Sequence, residues 1–335
     1  MLRYTIRRLI QLVGVVLVLS LLLFAWLRAL PGGPVSALLG ERATPEKQEA
    51  LTRQLGLDQP IVVQYFKFLG RALSGDFGVS TGVQQGDPAM EIFLQRFPAT
   101  LELSFLAIVI AIALGIPLGY LAAKRRGGWF DNLSVAGSLI GVAVPVFFLA
   151  YVLKDVLSAA LGLPTEGRQD AALGATRVTG FFVFDGIITQ EWDAALDALE
   201  HLVLPAVALS TIPFAVVFRI TRAAVLDVLD EDFVRTAESK GLTAPVIRRR
   251  HVLRNAMLPV VTTIGLQTGA LLAGAVLTEK VFSFAGVGQA LAIGFERRDY
   301  PVLLLLIIMA TIVYVVVNLL VDLSYAFIDP RIRTR

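Results

Sequence analysis

The sequence predicts an all-α, polytopic membrane protein, and three observations carry that expectation. Hydrophobic residues make up 56 % of the 335 residues and charged residues only 17 %, against about 25 % charge in an ordinary soluble domain. Six apolar stretches each reach the roughly 20 residues that a helix rising about 1.5 Å per residue needs to cross a hydrocarbon core about 30 Å thick. The basic residues crowd into alternate connecting segments, as a fixed orientation in a bilayer requires.

The six stretches run from Leu9 to Leu30, about Ala99 to Ala123, about Asn132 to Leu161, about Leu199 to Ile220, about Met257 to Thr278 and about Pro301 to Phe327. The first is far longer than the apolar core of a cleavable signal, about 7–15 residues, so it reads as a retained span. The third is long enough to include some helix outside the membrane. Orientation follows from the basic residues. One set of segments holds Arg3, Arg7 and Arg8, then Lys124 to Arg126, then eight basic residues between Arg219 and Arg254, then Arg331, Arg333 and Arg335. The other set, 31–98, 162–198 and 280–300, holds fewer over a greater length. The dense set faces the cytoplasm, and both termini are then inside, as six spans require.

This divides the chain into an N-terminal membrane helix (1–30), an extracytoplasmic segment (31–97), a five-helix transmembrane domain (98–328) and a cytoplasmic tail (329–335). The transmembrane domain carries an extracytoplasmic insert (162–198) and a cytoplasmic loop (222–256). The segment 31–97 opens on Pro31-Gly-Gly-Pro34, a helix stop. Thr44 is placed to cap a polar helix running from Pro45 to about Leu55. Ile61 to Leu73, with Tyr65, Phe66 and Phe68, reads as a small cap on the outer face. The insert sets Glu166, Asp170, Asp185, Glu191, Asp193 and Asp197 against Arg168 and Arg177. It is a solvated acidic loop or an acidic docking surface.

Within the spans, Pro117, Pro145, Pro205 and Pro213 each delete a backbone hydrogen bond and favour kinks. The two in the fourth span suggest an irregular helix facing protein or water. Gly115 and Gly119, Gly137 and Gly141, and Gly265 and Gly269 recur at the spacing that lets helix backbones approach. Thr262, Thr263, Gln267 and Thr268 give the fifth span a polar side, which places Thr263, Gln267 and Thr268 in or near an aqueous path. Glu102, Lys154, Asp155 and Asp322 lie toward span ends and read as locally paired or snorkelling groups. With no carboxylate at a midplane, a proton-driven secondary transporter is disfavoured.

Common catalytic chemistry is missing. Cysteine is absent and only His201 and His251 occur, which excludes disulfides, thiolate sites and a multi-histidine metal cage within one chain. There is no Gly-Lys pair for a phosphate-binding P-loop and no HExxH. One Gly-x-Ser-x-Gly pattern, Gly78-Val-Ser80-Thr-Gly82, lacks the strand before and helix after that a catalytic serine needs. A formal net charge of +3 does not suggest nucleic-acid binding.

The cytoplasmic loop 222–256 is the most informative segment. Val225, Leu229, Phe233 and Ala237 follow at four-residue spacing, an apolar stripe on one helical face. Gly241 is placed as a helix-ending glycine. Thr243 and Pro245 open a second helix bearing Arg248, Arg249, Arg250, His251 and Arg254. Two short helices meeting at a glycine make a compact knob, and the small Ala237 and Gly241 leave room for another protein to approach. A solvated basic loop would also obey the orientation rule.

From Asp230 the loop reads DEDFVRTAESKGLTAPVIRRRHVLRNAMLPVV. It resembles the loop of binding-protein-dependent ABC importer permeases, and more narrowly their dipeptide/oligopeptide branch. Gly265-Leu-Gln267, Thr278-Glu279, Val281-Phe-Ser283, Gly286-Val-Gly288, Arg298-Asp-Tyr-Pro301, Asn318-Leu-Leu-Val-Asp322 and Asp329-Pro-Arg-Ile-Arg333 also match. So do the Leu-Arg-Tyr-Thr-Ile-Arg-Arg start, Leu55-Gly-Leu57, Pro98-Ala-Thr-Leu-Glu102-Leu and Thr211-Ile-Pro213. Departures are Arg235-Thr236-Ala237 where the general pattern has Glu-Ala-Ala, Pro31-Gly-Gly-Pro34 for PGDP, and Phe284-Ala-Gly-Val-Gly288 for WPGLG. They bear on substrate identity rather than on the scaffold.

The resemblance implies a type I importer permease (MetI-like) fold in a bacterial inner membrane. It implies a coupling helix in which Glu231, Asp232, Phe233, Arg235, Thr236, Ala237, Lys240 and Gly241 meet a cytoplasmic ATPase. The implied partners are a second, homologous permease subunit, two ABC ATPase subunits and an extracytoplasmic peptide-binding protein. This chain would be non-catalytic and hold no cofactor, ATP and Mg²⁺ being bound by the ATPases. Related scaffolds carry nickel chelates, oligosaccharides or haem-like ligands, which remain the alternatives to peptide, as does a secondary transporter.

Overall fold

The computed structural model describes the backbone of residues 2–29, 35, 39, 44–55 and 57–328. The Pro31-Gly-Gly-Pro34 stop, Gly56, the tail 329–335 and the side chains of Arg3, Arg8 and Asp322 lie outside the described residues. Among the described residues the fold is helical, and extended backbone pairs only at a single bridge between Val79 and Pro88.

Three helices precede the main bundle: α1 (Leu2–Ala29), α2 (Pro45–Leu55) and α3 (Ile61–Leu73). The aromatic residues of α3 explain its seat. Phe68 is buried, Tyr65 and Phe68 pack on Phe24 of α1 at ring-centroid distances of 5.4 and 5.8 Å, and Ser20 and Tyr65 share a 2.9 Å hydrogen bond. Ile61, Val62 and Phe66 stay exposed, the arrangement of an amphipathic helix lying at a membrane interface. The expected helix over Ile61–Leu73 is therefore present and packs on α1.

The bundle is built on α4 (Ala89–Lys124) and α8 (Trp192–Leu229). Ala99, Leu103, Ala107, Ala111, Gly115 and Gly119 are all buried, one every four residues. That stripe of mostly small side chains brings the two backbones close. A β-carbon on Gly119 would stand 2.7 Å from the Phe218 carbonyl oxygen of α8. Both α4 and α8 run unbroken through their internal prolines, so the irregular fourth helix expected from Pro205 and Pro213 is not found; both are buried in the helix pair. Of the Gly137/Gly141 pair only Gly141 stands at a close contact, where a β-carbon would be 3.2 Å from the Thr211 methyl, whereas a β-carbon on Gly265 would run into the Val321 side chain.

The third expected span is two helices, α5 (Trp129–Ala143) and α6 (Val146–Val152), the latter prolonged by a π-helical turn (Leu153–Leu157) and Ser158–Leu161. They bend by 101°. Pro145 has no N–H for the helix and forces Val144 into extended backbone at ψ 123°. After α7 (Phe182–Ile188) and α8, the cytoplasmic α9 (Asp232–Ser239) and α10 (Ala244–Val246) follow. Next come α11 (Arg254–Gly274), α12 (Val276–Val281), α13 (Val287–Arg297) and α14 (Tyr300–Ile328).

Among the described residues, four helical segments are long and apolar enough to cross a membrane: Leu9–Ala29, Ala89–Lys124, Trp192–Leu229 and Tyr300–Val321, with the bent α5–α6 pair a fifth if it is one span. The fifth expected stretch, Met257 to Thr278, is helical over Arg254–Gly274, with the side chains of 272–274 outside the described residues. It starts from Arg254 and Asn255, carries Thr262, Thr263, Gln267 and Thr268, and breaks at Ala275. Its polarity fits a helix that meets protein or water rather than lipid alone.

Candidate functional site

The loop 222–256 is an elbow held by its own small core. Leu229 ends α8, and α9 restarts at Asp232 after a turn at Asp230 and Glu231. The stripe Val225, Leu229, Phe233 and Ala237 therefore does not lie on one helix. Val225, Val234 and Ala237 are buried together with Ala123, Ala224, Ile247, Val252 and Ala256, while Phe233 is 40 % exposed. That small core welds α9 to the inner ends of α4, α8 and α11.

Gly241 closes α9 with φ +73°. The Leu242 N–H donates to the Ala237 carbonyl at 3.3 Å and the Gly241 N–H to the Glu238 carbonyl at 2.9 Å. These are the two bonds of a Schellman ending, in which glycine takes the left-handed position without a β-carbon penalty. A second helix does begin after Thr243 with Pro245 in its first turn, although the Thr243 side chain makes no capping bond. That helix is not a separate short one. It passes through the π-helical turn Ile247–Leu253 directly into α11. The elbow is thus an outgrowth of the fifth stretch.

Of the residues expected at the elbow, Glu231, Asp232, Phe233, Arg235, Thr236, Lys240 and Gly241 are exposed. Ala237 is not; it is 4 % exposed and seats α9 on the core beneath it, because it falls on the same helical face as Val234. Gly241 has open space around it. A signal missed in the sequence braces this region: Arg222 of α8 donates from Nε and Nη2 to the two carboxylate oxygens of Asp131 in α5, at 2.6 and 2.7 Å. Asp131 also accepts from the Gly127 N–H at 3.0 Å.

The polar side of α11 is divided. Leu258, Thr262, Leu266 and Ala270 form its exposed face. Thr263 and Gln267 are half-buried and lie one turn apart beside it, and Thr268 is half-buried roughly 100° further round the helix. The three residues do not share one surface. The Thr263 and Thr268 hydroxyls donate to the carbonyls of Pro259 and Ile264, both at 2.9 Å, which satisfies them within the helix.

The outer face is locked by carboxylates. Arg168 donates to Glu102 at 2.8 Å, a pair whose side chains are 6 % and 12 % exposed; Lys154 pairs with Glu166 at 2.7 Å. Both are local pairings, as expected of charges near span ends. Burial pushes the Arg168 guanidinium down, with Glu102 acting against the shift. Asp185 accepts from the N–H groups of Val178, Thr179 and Gly180 and from the Thr179 hydroxyl. Burial alone would raise its pKa, but these bonds outweigh it and leave the carboxyl below its usual range. Glu191 holds Thr176, and Asp197 holds the Asp170 N–H. Much of the acidic insert is thus turned inward on its own loop. Ser80 of the Gly-x-Ser-x-Gly pattern is buried and donates to Asp299 at 2.5 Å, a structural tie between the 78–88 loop and the start of α14.

Comparison with known proteins follows this geometry. Residues 115–334 match the family described as binding-protein-dependent transport system inner membrane component, and residues 1–104 match its N-terminal counterpart. The chain is 43 % identical over 338 residues to the dipeptide transport system permease protein DppB of Escherichia coli strain K12, with 99 % of each chain covered. It is 39 % identical over 334 residues to DppB of Alkalihalophilus pseudofirmus, covering 99 % of this chain and all of the relative. It is 37 % identical over 334 residues to the glutathione transport system permease protein GsiC of Escherichia coli O1:K1, with 99 % of each covered.

Proposed function

Because the chain belongs to the family of binding-protein-dependent transport system inner membrane components, we propose that it is the permease subunit of an ATP-driven importer of di- and oligopeptides in the bacterial inner membrane. The observation that carries the reading is the elbow. An exposed eight-residue helix is pinned by its own core and joined through the Gly241 turn to the helix that runs into α11. A helix held this rigidly transmits displacement into the bundle as a body.

In this reading Glu231, Asp232, Phe233, Arg235, Thr236, Lys240 and Gly241 form the contact surface for an ATPase, and Ala237 seats the helix that presents them. ATP hydrolysis takes place on two separate subunits, and this chain has no catalytic role. A second, homologous permease covers the exposed face of α11. The path then runs along that face, with Thr263 and Gln267 at its margin and Thr268 behind them. An extracytoplasmic binding protein delivers the peptide. The names of the relatives support peptide cargo, dipeptide in two and glutathione in the third.

The test is uptake by the assembled transporter in proteoliposomes. Labelled dipeptide should accumulate only with ATP, the ATPases and the binding protein. Accumulation driven by a proton gradient without them would overturn the reading.

A further inference from the structure

A cavity of about 440 Å³ opens on the outer side of the molecule, within the range of about 300–1,000 Å³ usual for small-molecule sites. Its wall brings together parts that are distant in sequence: Gln84, Gln95 and Arg96, then Arg168, Gln169 and Arg177 of the insert. It holds three guanidinium groups and three amides and, among the described residues, no carboxylate.

The charges do not cancel. Glu102 compensates Arg168. Arg96 donates to the neutral Gln289 side-chain oxygen at 2.8 Å. The nearby Glu279 is fully buried and engaged with the Thr100 hydroxyl and the Gln289 N–H, at 2.7 and 2.9 Å. Arg177 lies over the Phe182 ring at 4.0 Å, and Arg168 lies over the same ring at 3.7 Å. Two like charges are thus held on one aromatic ring, and the carboxylates acting on Arg168 are Glu102 and Asp185. Arg168 is 7 % exposed, and its Nε is buried without a hydrogen-bond partner; Gln84 Oε1 is likewise buried and unpartnered. An unpaired buried donor or acceptor costs about 1–3 kcal/mol, which a ligand bearing the complementary groups relieves.

We propose that this cavity is a carboxylate-binding site that receives the C-terminus of a peptide before it enters the path. Arg177 supplies charge that no ion pair takes up, and Arg96, which also feels the buried Glu279, adds a second guanidinium; a guanidinium matches a carboxylate with two parallel N–H donors. The three glutamines offer both donors and acceptors to a peptide bond. A cation or an uncharged sugar meets repulsion or gains nothing from the arginines. The inference rests on the peptide-importer reading and deepens it.

The test uses the complete transporter in nanodiscs without its binding protein. Labelled Ala-Phe is displaced by unlabelled Ala-Phe or by its C-terminal amide. The free acid should compete at least tenfold better than the amide in the wild type. Arg177→Gln and Arg96→Gln should each bring that ratio near one, leaving affinity for the amide unchanged; Arg177→Lys should restore part of it. An equal ratio in wild type and variants overturns the site, as does a wild type that binds no dipeptide. Weakened docking of the binding protein with an unchanged acid/amide ratio also overturns it and assigns the arginines to a protein contact. ATP-driven uptake by the same wild-type protein in proteoliposomes, supplied with binding protein, reports on the importer reading separately. Uptake with no acid/amide discrimination in nanodiscs sinks the cavity alone, and absence of uptake sinks the reading beneath it.

Discussion

Arg222 grips Asp131 with a two-pronged contact, 2.6 and 2.7 Å, that ties the inner end of α8 to the first turn of α5. Asp131 is 1 % exposed. Removing Asp131 leaves a guanidinium that is 27 % exposed without its ion-pair partner, a loss less than the roughly 3–5 kcal/mol of a fully buried pair, whereas replacing both with apolar groups of similar size is often neutral. Because α8 leads straight into the elbow, the pair couples elbow displacement to the bent α5–α6 unit. Asp131→Ala should lower peptide uptake at least tenfold while ATP hydrolysis continues. The double variant Asp131→Leu with Arg222→Met should recover protein stability, read as the midpoint of thermal unfolding, without recovering uptake per ATP. Recovery of both would reduce the pair to a packing element.

Gly241 separates two effects that the elbow combines. Its φ of +73° penalises any side chain, by about 1–2 kcal/mol. Nothing lies within 4 Å of a β-carbon there, so a larger side chain meets no obstacle inside this chain. Gly241→Ala should therefore cost only the backbone strain and leave most uptake intact. Gly241→Trp adds bulk that only an external partner can meet, and should reduce uptake more than tenfold while uncoupling it from ATP hydrolysis. Equal behaviour of the two variants in proteoliposomes would remove the proposed ATPase contact from this position.

The elbow also shows what the residues alone made legible. Gly241 as a helix end, the start of a helix at Thr243 and the apolar longer spans follow from local rules that tertiary contacts do not alter. The stripe through Val225 and Phe233 misled because four-residue spacing was carried across Asp230 and Glu231, where the helix stops. The threonines and glutamine of the fifth stretch were legible as a polar side, but not their division between an exposed face and half-buried positions. The 101° bend at Pro145 was foreshadowed by a proline, but prolines 117, 205 and 213 sit in unbroken helices, and only packing decides between the outcomes. The Arg222–Asp131 and Arg168–Glu102 pairs join residues 91 and 66 positions apart, a separation over which spacing carries no information.

Asp185 gives the insert a pH-dependent clasp. Its carboxylate accepts three backbone N–H bonds and one hydroxyl bond between Val178 and Gly180. Its pKa is depressed in the folded chain, so the stabilisation it gives is complete above the unfolded value of about 3.9 and is lost as pH falls through the lower, folded value. The clasp should thus stay closed throughout the neutral and mildly acidic range. Asp185→Ala removes four acceptor contacts, each worth about 1 kcal/mol net, and should expose 170–182 to limited proteolysis at neutral pH. Wild-type cleavage in that segment should rise only below about pH 4. Equal cleavage of both proteins at pH 7 would show that the loop is ordered by other contacts.

The α4–α8 seam brings two helix backbones into close contact, and it makes the sharpest stability prediction. At Gly119 an added β-carbon would stand 2.7 Å from the Phe218 carbonyl oxygen and 2.9 Å from Thr221 Cβ. Neither atom can swing aside, since one is backbone and the other the root of a buried side chain. The helices must separate, with loss of packing along the buried Ala107, Ala111 and Gly115 stripe. Gly119→Ala should destabilise the chain by about 1–3 kcal/mol, the usual cost of overpacking, and Gly119→Leu should abolish folding into the membrane. Gly137→Ala is the internal control: it lies in α5 with open space around it and gains helix propensity of up to about 1 kcal/mol. Thermal unfolding in detergent of the three variants should order them with Gly137→Ala at or above wild type and Gly119→Leu last; an unchanged midpoint for Gly119→Ala would mean that the two backbones are not in close contact.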